Sequence, residues 1–354
     1  MTKKQKTVYA AVLDMIHSGK QEGDMLPTVK ELSELLSVSQ MTVHKALDQL
    51  GEEGLLYKAQ GKGTFVGKIP RNSSMSPRLL NGKKIIAFIA PYSHDDLFMQ
   101  DITAGVLEGT DHSRFSLINK HVLMPALKEE EVIAETSTYA DGIILLSHLK
   151  AESRLVLSKL LGAKYPIVFI DHYPLDMECA SVSTDNEDAA SLAVQHLYEN
   201  GHRRILHATL DNGFSSTLAR GEGYTHCMEQ HGLIPDSVCM DRGVKVLEKV
   251  FSRPSNNRPT AIFALFDGLA MDICHFLKSK GLKVPEDVSI IGFNNDRGVE
   301  RFETPLTTIA QPKNAIGRKA VALISRMLSS GLVVKSNYFL PGSLVIRESV
   351  RNIS

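Results

Sequence analysis

The sequence predicts an α/β protein in two parts. A small N-terminal helix-turn-helix domain closed by a β-hairpin comes first, and parallel sheets flanked by helices follow. Two observations carry this. From Lys84 onward, six short apolar runs (Ile85–Ala90, Gly142–Leu146, Ile167–Ile170, Ile205–Ala208, Ala261–Phe266 and Val288–Phe293) alternate with helical stretches such as Glu187–Asn200, Thr217–His231, Gly268–Lys280 and Ala315–Ser329. Largely apolar strands separated by helices read as parallel sheets buried on both faces. Ahead of them, residues 1–68 hold short helical patterns that end in a Gly-rich hairpin. Residues 69–83, with Pro70, Ser73, Ser74, Ser76 and Pro77, lack periodicity and read as a linker. That leaves residues 84–354 for the second domain.

In the first domain, Val8, Val12, Leu13 and Ile16 recur at helical spacing, and Gly19 and Gly23 stop that helix. Thr28 and Glu31 form a capping box that opens a second helix, with Leu32, Leu35 and Leu36 as its expected apolar face. Ser39 can cap a third helix, roughly Gln40–Leu50, which turns Val43, Ala46, Leu47 and Leu50 inward. Leu55–Lys58 and Thr64–Val66 read as two strands around Gly61-Lys62-Gly63. The second helix of such a pair is the element that enters a major groove, its first residues at base edges. A lysine between two glycines brings charge and bare backbone close to a phosphate.

Residues 27–67 resemble the winged-helix domain of the gluconate-repressor (GntR) family. The likeness rests on Pro27-Thr28, Glu31-Leu32, the run Ser39–Leu47, Glu53–Leu56 and Gly61–Val66. It implies that Lys30, Ser39, Gln40, Thr42, His44, Lys45 and the wing residues Gly61, Lys62, Gly63 and Thr64 face double-stranded operator DNA. Taken singly, Lys30, Lys45 and Lys62 read better as ordinary solvated lysines; the three together, on a helix-turn-helix with a basic wing, point to DNA contact. The family usually carries arginine where this chain has Gln40 and His44. Arginine reads guanine bidentately, whereas glutamine suits adenine, so a different operator is expected.

In the second domain several apolar strands end in polar residues. Ligands of open α/β sheets sit at the carboxyl ends of strands, which makes Ser147, His148, Asp171 and His172 candidates. Asp171-His172, Arg220-Gly221-Glu222-Gly223-Tyr224, Phe266-Asp267, Ile290–Asn295 and Thr304–Ile309 stand in an order that resembles the effector domain of the LacI/GalR family. The resemblance covers residues 84–349. It implies a two-lobed periplasmic-binding-protein type I fold, with a small ligand between lobes joined by three chain crossings. The crossings are expected near Val182–Asp185, Asn295–Pro305 and Lys335–Phe339. The implied ligand contacts are Phe98, Ser147, Asp171, Arg220, Phe266 and Asn294, a set whose donors and acceptors suit a sugar. Phe98 and Phe266 also read as core, and Asp267 as a helix N-cap. The family often has a polar residue at the Phe266 position and Asp at the Asn294 position, and Asp96–Met99 matches its pattern only in part. The two resemblances together point to a chimeric regulator like the arabinose-repressor type.

Composition bounds the function. Lys and Arg number 40 against 40 Asp and Glu, so a nucleic-acid contact must come from a local patch. The 4 cysteines are scattered without a C-x-x-C pair, which argues against a zinc or redox motif and suits a reducing compartment. The N-terminus has no apolar signal core, and no segment is apolar enough to span a bilayer, so a cytoplasmic location is expected. P-loop, dinucleotide-loop, H-E-x-x-H and G-x-S-x-G motifs are absent, so neither catalysis nor a cofactor is expected. The reading is a homodimeric DNA-binding transcription regulator, a repressor whose operator affinity answers to a small ligand. The alternative is a small-molecule binding protein for sensing or transport, without promoter function.

Overall fold

The computed structural model describes residues 5, 7–9, 11, 12, 15, 23–36, 38–52, 56–59, 63–66, 83–91, 97–122 and 128–354. The chain divides into two compact units, Met1–Met75 and Ser76–Ser354.

In the first unit, Thr28 caps helix α1 (Val29–Leu35). Its hydroxyl accepts from Glu31 N at 3.3 Å while its own N–H donates to Glu31 Oε2 at 2.7 Å, satisfying two orphan helix donors reciprocally. Helix α2 (Gln40–Glu52) follows a turn pinned by Ser33, whose hydroxyl donates to Val38 O at 2.6 Å. Strands β1 (Leu56–Ala59) and β2 (Gly63–Val66) pair antiparallel, with Met25 bridged to Phe65. Val8, Val12, Leu26, Leu32, Val43, Leu47, Leu50, Leu56 and Val66 form the core. Leu35 corrects the sequence reading: it is 64% exposed, because the last turn of α1 carries it off the face that Leu32 buries. Gly61, Lys62 and nearly all of the 69–83 linker lie outside the described residues.

The second unit holds two six-stranded sheets. The first lobe's sheet runs β13 (Asn337–Leu340), β7 (Ala180–Thr184), β6 (Ile167–Ile170), β5 (Gly142–Leu145), β3 (Lys84–Pro91), β4 (Phe115–Val122), all parallel. The second lobe's sheet runs β14 (Ser343–Val345), β12 (Thr307–Ala310), β11 (Ser289–Asn294), β10 (Ala261–Ala264), β8 (Ile205–Thr209), β9 (Asp236–Cys239), with β14 antiparallel. Each sheet buries apolar side chains on both faces, as the continuous apolar runs require.

Helices cover the faces. In the first lobe, α3 (Leu97–Gly109) lies against α10 (Lys313–Ser330), so closely that a Cβ on Gly317 would sit 2.4 Å from Ile102 O. α4 (Glu129–Ser137) and α5 (Ala151–Gly162) pack together on the same lobe. In the second, α6 (Asn186–Glu199) pairs with α7 (Ser215–Gln230), while α8 (Leu247–Phe251) and α9 (Asp267–Ser279) contribute to the core of the other face.

The chain crosses between lobes at Asp185, between β7 and α6, within the expected stretch. The other two crossings correct the sequence reading. Residues Thr307–Ala310 pair with β11, so the chain leaves the second lobe only at Gln311–Pro312, not within Asn295–Pro305. Residues Asn337–Leu340 pair with β7, so the last crossing is at Pro341–Gly342, not Lys335–Phe339.

Candidate functional sites

The solvent face of α2 begins at Gln40 and carries Met41, His44 and Lys45, all exposed, with Lys30 exposed on α1. Ser39 and Thr42 are turned to capping. Their hydroxyls lie 2.9 Å apart, and Ser39 Oγ accepts from Thr42 N at 3.3 Å. Of the expected wing residues, Gly63 is exposed and Thr64 half-buried in β2.

The second site gathers at the carboxyl ends of strands in both lobes. Backbone geometry marks the place: Asp171 after β6 and Asn294 at the end of β11 have φ of 66° and 112°. Non-glycine residues in this left-handed region cost about 1–3 kcal/mol and cluster at ligand clamps.

Arg220 on α7 is the centre of the arrangement. It is 6% exposed, donates from Nε to Asn186 Oδ1 at 2.8 Å and from a terminal nitrogen to Leu265 O at 2.7 Å, and lies 3.7 Å from the Phe293 ring centroid. Burial pulls its pKa down to about 10, against the charges of Asp171, Asp267 and Asp296, so it remains a cation. Asp171 receives His172 Nδ1 at 3.0 Å on one oxygen, while its other oxygen, Oδ1, is buried without a partner. Burial pushes its carboxyl up, but the His172 bond and the Arg220 charge hold it below the usual carboxylate range. A buried, ionised acceptor beside a fixed guanidinium is suited to a hydroxyl or N–H donor.

From Arg220 a polar relay runs into two crossings. Asn186 Nδ2 donates to Thr184 O at 2.9 Å, Thr184 Oγ1 donates to Gln311 Oε1, and Gln311 Nε2 donates to Asn294 Oδ1 at 2.6 Å. Asn294 Nδ2 donates to Asp296, which pairs with Lys313 Nζ at 2.8 Å. Lys313 is 5% exposed and lies 5.3 Å from the Phe98 ring centroid.

Asp267 is not the N-cap of α9; Phe266 holds that position and the Asp267 side chain is fully buried. It accepts from Thr308 Oγ1 at 2.6 Å and from Asp296 N at 2.8 Å, and burial raises its pKa to about 7. A Cβ on Gly292 would sit 2.1 Å from Asp267 Oδ1, so only glycine leaves room for this carboxyl.

The remaining expected contacts divide. Ser147 Oγ donates to the buried Glu129 carboxylate at 2.9 Å and accepts from Leu149 N, so its proton is committed inside the first lobe. Phe98 and Phe266 are half-buried, each packed on the core of its own lobe. Further contacts tie the lobes together: the His172 and Phe214 rings stack at 4.0 Å, Tyr173 N donates to Ser215 Oγ at 3.0 Å, and Arg297 pairs with Asp101 at 2.8 Å. Asn186, Gln311, Asp296 and Lys313 were not among the sequence candidates. Asn186 borders the crossing at Asp185, Gln311 lies in the crossing at Gln311–Pro312 with Lys313 directly after it, and Asp296 follows β11. Among the described residues, no group of three His, Cys, Asp or Glu is placed to hold a metal ion, and no helix is long and apolar enough to cross a membrane.

Comparison with known proteins bears on both parts of the chain. Residues 4–66 match the family of bacterial regulatory proteins called gntR, and residues 194–350 match a periplasmic binding protein-like domain. The chain is 28% identical to the arabinose metabolism transcriptional repressor of Geobacillus stearothermophilus over 97% of this chain and 96% of that one. It is also 28% identical to the transcriptional repressor CytR of Escherichia coli, over 92% and 96% of the two chains. Among solved structures, a LacI family regulator from Enterococcus faecium with bound ribose superposes with a TM-score of 0.64 at 22% identity, covering 77% of this chain and all of that one. A CelR–cellobiose complex gives 0.66 at 20% identity, over 92% of this chain and 100% of that one. The chain therefore combines a segment, residues 4–66, that matches the gntR family of bacterial regulatory proteins with a segment, residues 194–350, that matches a periplasmic binding protein-like domain.

Proposed function

We propose that this protein is a ligand-gated transcriptional repressor, acting as a cytoplasmic homodimer on a two-fold operator. Lys30, Gln40, His44, Lys45 and the wing residues Gly61, Lys62, Gly63 and Thr64 meet the DNA, with Ser39 and Thr42 fixing the helix start. Asp171, Arg220 and Asn294 bind the ligand's polar groups, Phe98 and Phe266 flank it, and Ser147 braces the wall through Glu129. The single observation that carries the gating is the relay from Arg220 through Asn186, Thr184 and Gln311 to Asn294, which passes through two of the three crossings. A ligand that re-pairs Arg220 or Asn294 pulls on the segments about which the lobes turn. Ligand and operator affinities are then reciprocally coupled.

The ligand class we propose is a sugar, a class to which ribose and cellobiose in the solved relatives belong. The test is a thermal-shift panel of pentoses, hexoses, their phosphates and purines on the full chain, followed by operator binding with each hit. A stabilising sugar that changes operator affinity supports the reading. A hit confined to purines replaces the ligand class. A ligand that binds tightly and leaves operator affinity unchanged sinks the gating.

A further inference from the structure

Met41 is 69% exposed. It is the one apolar side chain on the solvent face of α2, where its companions are Gln40, His44, Lys45 and Asp48. The apolar residues of the opposite face, Val43, Ala46, Leu47 and Leu50, are all buried in the core of the first unit. Methionine at this place therefore contributes nothing to that core. It stands on the first turn, one residue inside the helix start, where the base-edge contacts of a helix-turn-helix are made.

Ser39 and Thr42 flank Met41 and direct their hydroxyls at each other and at the helix cap. The side chains left to read bases from the first turn are Gln40 and Met41. A thioether offers neither a strong donor nor a strong acceptor. A major groove presents donors and acceptors at every base pair but only one apolar group, the C5-methyl of thymine. An unbranched, adaptable side chain such as methionine can cover that methyl without fixed geometry.

We propose that Met41 is a specificity-determining residue that packs on a thymine methyl in each operator half-site. This inference rests on the DNA-binding reading given above. Gln40, beside it, pairs in the same reading with an adenine edge, so the two neighbours select an A·T-containing step. Met41 is a reader of one methyl group and not a phosphate contact, and its loss leaves salt dependence unchanged.

The test uses the full chain and an operator selected from random duplexes. Each thymine of that operator is replaced singly by deoxyuridine, which removes the methyl and keeps every hydrogen-bonding atom. With the native chain, one position per half-site should weaken binding about fourfold, the worth of burying one methyl-sized group at ~0.8 kcal/mol. With Met41→Ala the penalty at that position should vanish, and the other thymines should behave as before. If no thymine loses its penalty in Met41→Ala, the inference is overturned. If Met41→Ala instead changes the protein's oligomeric state while the thymine profile stays intact, Met41 belongs to a protein interface and the inference is also overturned. If no duplex is selected at all, the DNA-binding reading itself fails, an outcome distinct from both. Met41→Leu is the control for folding, since it keeps an apolar side chain of similar size and should retain the uracil penalty.

Discussion

The two functional regions treat their polar residues in opposite ways. On the α2 face, Gln40, His44 and Lys45 stand in solvent. Beside the crossings, Arg220, Asp267 and Lys313 are buried and already bonded to Asn186, Thr308 and Asp296. In the proposed reading, the difference follows from what each region meets. DNA is a polyanion whose affinity comes largely from displaced counterions, so solvated cations serve and need no prior support. A small uncharged ligand offers no such field. The groups that hold it must be oriented beforehand in a low dielectric, where an unpaired charge costs several kcal/mol. One face can therefore be changed at little structural cost, whereas the other is part of the protein's own stability.

The comparison is tested hardest at Arg220. Arg220→Met removes the cation beside Asp171 and leaves Asn186 Oδ1 and Leu265 O without their donor. Buried acceptors left unpaired cost about 1–3 kcal/mol each. The full chain should lose on the order of 3 kcal/mol against urea, and every ligand response should disappear. Arg220→Lys, which keeps the charge but not the fork, should recover only part of the stability. A methionine variant as stable as the native chain would refute the contrast.

A smaller effect is expected at Asp267. Its folded pKa of about 7 lies well above the ~3.9 of an unfolded aspartate. The folded state therefore binds more protons than the unfolded state between those values. Its contribution to stability is present at low pH and is lost as pH rises toward 7, with a slope of at most ~1.4 kcal/mol per pH unit. His202 and His207, which burial lowers to about 4, act in the opposite sense over an overlapping window. The quantity to measure is thus the native-minus-Asp267→Asn difference in unfolding free energy. It should fall from pH 4 to 7 and flatten above. A difference independent of pH would mean that Asp267 is ionised throughout, held by Thr308 and the Asp296 N–H.

How much of this was legible in the sequence depends on how local the signal is. The capping box at Thr28 and Glu31 is complete within four residues, and it was read correctly together with α2. The six apolar runs became the strands β3, β5, β6, β8, β10 and β11 because burial on both faces keeps them largely apolar, with only single polar interruptions such as His207 and Ser289. The crossings were misplaced because their neighbouring strands are weak. β12 is four residues with two threonines, and β13 alternates exposed and half-buried positions at the edge of its sheet. Asn295–Pro305 looks like a connection and is one, but it joins two strands of the same lobe. The strand-end rule points to Asp171 and His172, whereas Arg220 and Asn294 enter only through the family resemblance. Asn186, Gln311 and Lys313 carry no periodicity of their own, and their role exists only through partners up to 127 residues away.

The smallest expected effect lies on the DNA face, and it sharpens the contrast from the other side. Lys45 is exposed on α2. Lys45→Ala should leave the unfolding transition within about 0.5 kcal/mol of the native value, as surface changes usually do. Operator binding should weaken similarly across selected and mismatched sequences, because a phosphate contact carries no base information. The slope of log affinity against log salt should shrink by about one for each protomer bound. Measured together with Gln40→Ala, the two variants separate charge from reading. Gln40→Ala should keep the salt slope and relax discrimination at one adenine, while Lys45→Ala should do the reverse. If Lys45→Ala instead relaxes sequence preference at a fixed slope, then Lys45 reads a guanine edge, and the charge on this face serves specificity and not affinity alone.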